Sequence, residues 1–393
     1  MAQVTAEPRI DRQTEAGAER RTSPLELLWD LVFVFAITQV TTLLSRHLDW
    51  SGFGHAMLIL ALIWWAWSAF VWAANAQDSD ATSLRLALLL ATAFIFLAGL
   101  AVPDALTSKG LLFASSYTVV RLIHLALYAD ASRRGNASWS AIAGFGVTVL
   151  IGMGLLVLGA ALHGTARIAL WGAAVAIDYA GPAWLTRERL RGLQRVAVAH
   201  FAERYALFVI ICLGESIVAI GQGASGGHRQ LDADEVVVVM LGLLITVCLW
   251  WTYFDRTAQV AEDSLRTDRD PVLAAADGYS YLHLALVAGI ITFAAGVRLL
   301  VEAPHFTPSD AVRLALCGGV GLYLLGHVAF KVRLTGKIGY EKLVVAGALA
   351  ILYAAGGGLS PWALAAVITA LLVALCAVET VRGRRHGWAR RAS

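Results

Sequence analysis

The feature that most constrains the fold is a succession of apolar stretches, which follow one another almost from end to end of the 393 residues. Each stretch is about 20 residues long and rises about 1.5 Å per residue as an α-helix, which is enough to cross the hydrocarbon core of a bilayer. Hydrophobic residues make up 58% of the chain and charged residues 15%, so no large soluble domain is left over. We therefore predict an all-α integral membrane protein.

The stretches predict about twelve transmembrane helices. They lie near residues 24–45, 50–74, 82–102, 111–129, 137–161, 165–184, 200–221, 234–254, 278–301, 310–330, 341–357 and 361–381. If the chain starts in the cytoplasm, most of its 31 lysines and arginines fall in cytoplasmic segments, which resist translocation. This bias predicts a multi-pass protein of the cell (inner) membrane with both termini in the cytoplasm.

The chain divides into two halves of six spans each. The predicted units are a hydrophilic cytoplasmic tail (1–23), a first six-helix repeat (24–184), a basic amphipathic linker (185–198), a second six-helix repeat (199–382) and a basic cytoplasmic tail (383–393). Both halves start on the same side, so we expect parallel repeats related by an axis along the membrane normal.

Two matching patterns support this internal repeat. A tandem tryptophan pair, Trp64–Trp65, stands in the second span of the first half, and Trp250–Trp251 stands in the second span of the second half. In the fourth spans, the same alignment superimposes His124 on His327. We interpret the tryptophans as packing or membrane-interface residues rather than a ligand cage.

The first span carries charge where charge is costly. Glu26 and Asp30 lie one helical turn apart within Pro24–Ser45, and Phe33 and Ile37 continue the same helix face. Ionisable groups inside a membrane helix are expensive and frequently functional. The stripe therefore predicts two carboxylates followed by an apolar constriction.

Other spans place ionisable residues at a similar depth. The predicted structural charge network consists of Glu26, Arg121, Asp178, His200, Glu203 and Arg204. One interpretation is that Arg121 and Arg204 pair with Glu26, Asp30 or Glu203 to hold helices together, since an unpaired charge would be costly there. His124 and His327 are either packed, hydrogen-bonded histidines or parts of a proton relay.

Glu215 lies nearer the outer side, with Gln39 at comparable depth and no basic residue expected there. We expect Glu215 to load and release a proton, whereas Asp30 stays ionised beside a cation and is largely architectural. The residues of a pore or proton path are therefore Asp30, Phe33, Ile37, Gln39, Glu215, His124 and His327.

Other chemistries find little support. The four cysteines each stand in an apolar run without CxxC spacing, which argues against a disulfide framework or a zinc site. No glycine-rich phosphate loop is followed by Lys and Ser/Thr, and the small positive net charge is no signal for nucleic acid. The acidic pair Asp78 and Asp80 is a weak candidate for a cation. We predict no metal, no cofactor and no catalytic residue.

Two segments resemble a known family. RRTSPLELLWDLVFVFAIT (Arg20–Thr38) and HFAERYALFVIICLGESIVAIG (His200–Gly221) resemble the bacterial low temperature requirement A (LtrA) family. The resemblance covers about residues 20 to 380. It implies an integral membrane protein and supplies no reaction.

The first span is also similar, more distantly, to the FSD-motif helix of potassium channels built from six-helix repeats. That resemblance implies that Phe33, Ile37 and Val40 line a pore and that Asp30 anchors the helix. Trp29 replaces the serine of the motif, and the seventh span has no aspartate at the equivalent point. Potassium selectivity is therefore not implied.

Taken together, the sequence favours a pore or carrier for protons or small monovalent ions, centred on the first and seventh spans. One alternative is a membrane-embedded enzyme acting on a lipid or isoprenoid substrate, and another is a stress-adaptation membrane protein without transport. The expected partners are the lipid bilayer and a small ion or proton, with no nucleic acid, and the sequence allows a homodimer.

Overall fold

The computed structural model describes residues 22–75, 82–134, 139–182, 197–225 and 232–391. Within these ranges the chain is helical, without β-strands. The helices are α1 (Pro24–Arg46), α2 (Trp50–Asn75), α3 (Thr82–Ala101), α4 (Gly110–Arg133), α5 (Trp139–Ala160), α6 (Gly164–Ala180), α7 (Val198–Ser225), α8 (Ala233–Phe254), α9 (Thr257–Thr267), α10 (Pro271–Ala275), α11 (His283–Glu302), α12 (Asp310–Thr335), α13 (Tyr340–Ala355) and α14 (Pro361–Arg391).

The described helices confirm a multi-pass membrane protein. Ten helical segments in these ranges are long and apolar enough to cross a bilayer. The predicted sixth and eleventh spans correspond to α6 and α13, which have 17 and 16 residues. The count of twelve crossings therefore stays a prediction.

The start of α1 is encoded locally. Ser23 accepts a hydrogen bond from the backbone N–H of Glu26, and the Glu26 carboxylate accepts one from the backbone N–H of Ser23. Pro24 occupies the first helical position, where its missing N–H costs nothing. This capping box fixes the end of the helix that carries Glu26 and Asp30.

The helices of the two halves pack in the same order. In the first half, α1 packs on α2 and α3, α3 on α4, α4 on α5, and α2 on α6. In the second half, α7 packs on α8 and α11, α11 on α12, α12 on α13, and α8 on α14. Across the halves, α1 contacts α7 and α11. The interface of α1 with α7, each the first helix of its half, is called the α1–α7 interface below.

Glycines let α11 and α12 approach closely. A Cβ atom on Gly289 would lie 2.5 Å from the backbone nitrogen of Tyr323, and one on Gly319 would lie 2.6 Å from that of Phe293. The backbones therefore touch where any larger residue would force them apart. Close packing of small residues is how helices associate in lipid, where the hydrophobic effect gives no drive between helices.

The ninth span departs from the predicted single helix. It starts at Pro271 rather than near residue 278, and its residues Ala276–Leu282 form a π-helical segment between α10 and α11. A short helix that the sequence did not predict, α9, precedes it and buries Ala261 and Leu265. π-Helical segments inside α-helices are frequent at functional sites.

The cysteines lie within or beside the apolar core of the described chain. All four are free thiols; Cys212, Cys248 and Cys317 are buried and Cys376 is half-buried. The tail 1–21, the acidic pair Asp78 and Asp80, and most of the 185–198 linker lie outside the described residues.

Candidate functional site

The α1–α7 interface contains a buried ion pair. Nη2 of Arg204 donates to Oδ1 of Asp30 over 2.6 Å, and the same oxygen accepts a hydrogen bond of 2.8 Å from Nε1 of Trp67. Asp30 and Arg204 are 1% and 2% exposed. Asp30 therefore has the cationic neighbour that the sequence predicted.

A second contact lies one helical turn earlier on both helices. Nε2 of His200 is 3.1 Å from Oε1 of Glu26, and both side chains are buried. Glu26 and Asp30 on α1 therefore meet His200 and Arg204 on α7 in the same order. Two helices that meet in this order run in the same direction at their interface.

The third polar contact lies two turns farther along α1. The hydroxyl of Thr38 lies within hydrogen-bonding distance of Oε2 of Glu215, and Thr41 is a second hydroxyl neighbour of this carboxyl group. Glu215 is 1% exposed. The hydrogen-bond neighbours of Glu215 are therefore threonines of α1.

The expectation that no basic residue acts on Glu215 needs correction. Arg298 of α11 lies close enough to act on Glu215 electrostatically. Nε of Arg298 lies 2.9 Å from Oε1 of Glu302, so its direct ion pair in the described chain is with that residue. Gln39, which the sequence placed at the depth of Glu215, is half-buried on α1.

The apolar face of α1 runs from the contact at Asp30 past the contact at Thr38. Phe33, Ile37 and Val40 are fully buried. The ring of Phe33 lies 4.9 Å from that of Trp29 and 6.4 Å from that of Phe208 of α7. The predicted apolar face is therefore packed against other side chains in this conformation.

Arg121 and Asp178 form a separate buried pair between α4 and α6. Nη2 of Arg121 donates to both carboxylate oxygens of Asp178, over 2.8 and 2.9 Å. The sequence placed both residues in a charge network but paired Arg121 with carboxylates of α1 or α7. Its partner comes instead from the sixth predicted span of the same half.

Glu203 does not belong to the buried network. It lies on the exposed side of α7, one residue before Arg204. Adjacent residues of a helix point about 100° apart, so Arg204 can face α1 while Glu203 faces outward.

The two predicted histidines are both buried but lie in different surroundings. The ring of His124 packs 5.1 Å from Tyr128, and its Nδ1 has no hydrogen-bond partner among the described residues. His327 is fully buried beside Tyr253 and Tyr323, with neither ring nitrogen hydrogen-bonded within the described chain. His327 is therefore packed, but it lacks the hydrogen bonds that we expected of a core histidine.

The tryptophan pairs differ more than the repeat suggests. Trp65 stacks on Tyr179 at 4.0 Å, and Trp64 is 1% exposed. Trp250 and Trp251 are 42% and 39% exposed. The first pair is a packing element, whereas the second lies on the surface of the bundle.

A cluster of hydroxyl groups around Ser280 escaped the sequence analysis. Oγ of Ser280, in the π-helical segment, lies 3.0 Å from Oγ of Ser68 and 2.9 Å from the hydroxyl of Tyr205, and it accepts a hydrogen bond of 2.8 Å from Nε1 of Trp72. Ser68 and Tyr205 lie 2.7 Å apart. These residues join α2, α7 and the ninth span, and hydroxyls far apart in the sequence give no periodic signal that would reveal such a cluster.

A second residue that the sequence analysis missed is Arg167, at the start of α6. Its guanidinium group donates to four backbone carbonyls, with donor–acceptor distances of 2.6 to 3.2 Å. The acceptors are Ala105, Thr107, Ala160 and Leu162. Arg167 thus satisfies carbonyl groups at the ends of two helical segments.

Comparison with known proteins indicates the family to which this chain belongs. The family model for the bacterial low temperature requirement A protein (LtrA) matches residues 21–377. An uncharacterized protein of Rhizobium meliloti (strain 1021) is 31% identical over 313 residues, which cover 78% of this chain and 76% of the relative. No solved structure matches the chain significantly. The motifs around Asp30 and Arg204 and the extent of these matches show that the chain belongs to the bacterial low temperature requirement A (LtrA) family.

Proposed function

We propose that this protein is a pore or carrier for protons or small monovalent ions, and that the α1–α7 interface is its centre. The observation that carries the proposal is the sequence of contacts along this interface: Glu26 with His200, Asp30 with Arg204, and Thr38 with Glu215. Fully buried apolar residues of α1 lie between the second and third contacts. Buried ionisable groups on both sides of an apolar constriction are typical of ion and proton paths.

The burial of Glu215 favours a carboxyl group that carries a proton, and the hydrogen bonds around it can accommodate that form. The Thr38 hydroxyl lies 3.1 Å from the carbonyl oxygen of Val34, and the Thr41 hydroxyl lies 3.3 Å from that of Ile37. Each hydroxyl has only one proton to donate. If both protons go to these carbonyls, a protonated Glu215 can donate to a threonine oxygen, and every group is satisfied.

An ionised Glu215 would instead have to compete for those threonine protons. Glu215 is buried and has no direct ion pair among the described residues, which makes its ionised form costly. Proton binding and release at Glu215 would therefore change the hydrogen bonding between α1 and α7, which is the coupling that a carrier needs.

The architecture that accompanies this proposal has twelve crossings in two parallel six-helix repeats, with both termini in the cytoplasm of the inner membrane. It is supported by the shared packing order of the halves and by the common direction of α1 and α7 at their interface. In transporters built from repeats, substrate and ion sites lie at the interface between the repeats.

Flux measurements on purified protein in liposomes test the function. We expect the protein to dissipate an imposed pH gradient. Separate measurements with potassium and sodium gradients show whether one of these cations is transported with the proton or instead of it. Empty liposomes and liposomes with a misfolded preparation serve as controls. Absence of flux under all three gradients, together with a lipid that co-purifies and is identified by mass spectrometry, would favour the alternative of a membrane-embedded enzyme.

A further inference from the structure

A small cavity lies apart from the α1–α7 interface. Its volume is about 70 Å³, and its walls come from α2, α4, α5, α6 and the ninth span. The polar side chains of the lining are Arg121, His124, Asp178, Ser68, Ser280 and Thr148. Most of the remaining wall is aromatic or aliphatic, so a ligand here needs one polar end and an apolar body.

The charges of the cavity are balanced without a ligand. Arg121 and Asp178 are buried and pair through two hydrogen bonds, so together they carry no net charge. An added inorganic anion or cation would leave one uncompensated charge in a low-dielectric site, which is unfavourable. The cavity is therefore suited to a ligand that enters as a neutral species.

Two side chains of the cavity lining have hydrogen-bonding capacity that no described residue uses. Nε and Nη1 of Arg121 and Nδ1 of His124 are buried without a hydrogen-bond partner among the described residues. The two side chains are three residues apart on α4 and therefore share a helix face. A guanidinium group can only donate, whereas a neutral imidazole always has one nitrogen that accepts. A carboxylic acid has a complementary pair of groups, a carbonyl oxygen that accepts and a hydroxyl that donates.

The size of the cavity limits the rest of the ligand. A cavity of this volume has room for a few water molecules or one small organic molecule. Trp65 and Val149 are among the apolar lining residues that would enclose its carbon atoms.

We propose that this cavity binds a short-chain monocarboxylic acid together with one proton. The carbonyl oxygen of the acid accepts a hydrogen bond from Arg121, and its hydroxyl donates to an imidazole nitrogen of His124. The proton stays on the acid or moves to the imidazole, and the net charge of the occupied site is zero in either case. Binding of the acid does not depend on the proposed carrier function. Only the further inference that the bound acid is also transported rests on that function.

The groups facing His124 determine the pH dependence of binding. From its own helix these are Arg121 and Tyr128, α6 contributes Asp178, and the ninth span contributes Tyr281. The lining residues from α2 and α5 carry no titratable group. Because one proton accompanies the ligand, the apparent affinity for added carboxylate falls about tenfold per pH unit where the free acid and the imidazole are both deprotonated.

The test is equilibrium binding of radiolabelled propionate to the full-length protein in lipid nanodiscs between pH 5 and 8. Empty nanodiscs give the background from partition into lipid. Chloride and nitrate test for a general anion site, and propanol tests for a general apolar cavity. We expect saturable binding of one propionate per chain that weakens as the pH rises, with little competition from chloride, nitrate or propanol.

Two variants locate the binding. Ala69→Leu adds three carbon atoms to a lining residue and leaves the charged groups in place, and it should abolish binding. Ala311→Leu, which lines a different cavity beside α12, is the matched control and should bind normally. His124→Gln keeps hydrogen-bonding capacity but cannot take up the proton, and it should weaken binding at least tenfold and change its pH profile.

Several results would overturn the proposal. One is a cavity that holds only ordered water and shows no saturable propionate binding. Another is competition in which propanol or chloride displaces propionate as well as propionate itself does. A third is Ala69→Leu protein that binds propionate like the wild type. Propionate binding without proton flux would count against the proposed carrier and leave this site intact. Proton flux without propionate binding would support the proposed carrier and overturn the proposed binding site.

Discussion

Asp30 and Arg204 form an ion pair of 2.6 Å between the first helices of the two halves, and each is at most 2% exposed. The oxygen that accepts from Arg204 also accepts from Nε1 of Trp67, so one carboxylate joins α1, α2 and α7. A charge buried in this way is tolerated only while its partner is present. The pair therefore fixes the position of α1 against α7 next to the apolar face of α1.

Loss of the cation should destabilise the fold. We expect Arg204→Ala to lower the free energy of unfolding by about 3–5 kcal/mol, because it leaves the Asp30 carboxylate buried without its cation. Unfolding of the purified protein by heat or denaturing detergent measures the effect. Arg256→Ala is the control, since Arg256 lies 3.8 Å from its carboxylate partner and is 46% exposed. A variant with normal stability but altered ion selectivity would show that Arg204 acts in the pathway rather than in the architecture.

The apolar residues of α1 should restrict flux. Phe33→Ala removes a fully buried ring and should cost about 3–5 kcal/mol of stability. The space that it leaves between Trp29 and Phe208 should also raise the leak of protons through the α1–α7 interface. Phe306→Ala is the control, because that ring is 75% exposed. Unchanged leak in folded Phe33→Ala protein would place the constriction elsewhere.

Arg167 should be needed for stability rather than for flux. Arg167→Ala leaves four backbone carbonyls without their donor, and we expect a loss of about 3 kcal/mol in the free energy of unfolding. Lys109→Ala alters the same region at an exposed ion pair with Asp104 and should change stability little. Thermal unfolding in detergent compares the two variants. Equal melting temperatures would mean that the four hydrogen bonds add nothing to the stability of the bundle.

The sequence was sufficient to predict the fold class, the family and the residues of the first two polar contacts between α1 and α7. Helices of membrane proteins are long and apolar, so their existence is readable from hydrophobicity alone. Glu26, Asp30, His200 and Arg204 were identifiable because charge within an apolar span is rare. Their pairing depends on how α1 rotates against α7, and the sequence left several partners open for each arginine.

The sequence carried no comparable signal for the hydroxyl cluster around Ser280 or for the role of Arg167. Ser280, Ser68 and Tyr205 are ordinary residues of apolar helices, and only the packing of three helices brings their hydroxyls together. Arg167 stands near the start of its helix, where a single basic residue is an ordinary flanking residue of a membrane span. The likeness to potassium channels rests on a single helix motif, and it stays a prediction.

The repeat can be tested by an experimental structure. We expect residues 24–184 to superpose on residues 199–382 by rotation about the membrane normal, with His124 landing near His327. The common order of contacts along α1 and α7 is the basis of this expectation. A superposition that requires an axis in the membrane plane would refute the parallel repeat, whatever the number of spans.

The most direct test of the account is proton flux through Glu215→Gln protein in liposomes between pH 5 and 8. Gln keeps the size and the hydrogen bonding to Thr38 but cannot release a proton, so we expect normal folding and loss of pH-dependent flux. Glu203→Gln, an exposed position on the same helix, should behave like the wild type. Glu215→Gln protein that folds normally and conducts protons as the wild type does across this range would contradict the central claim.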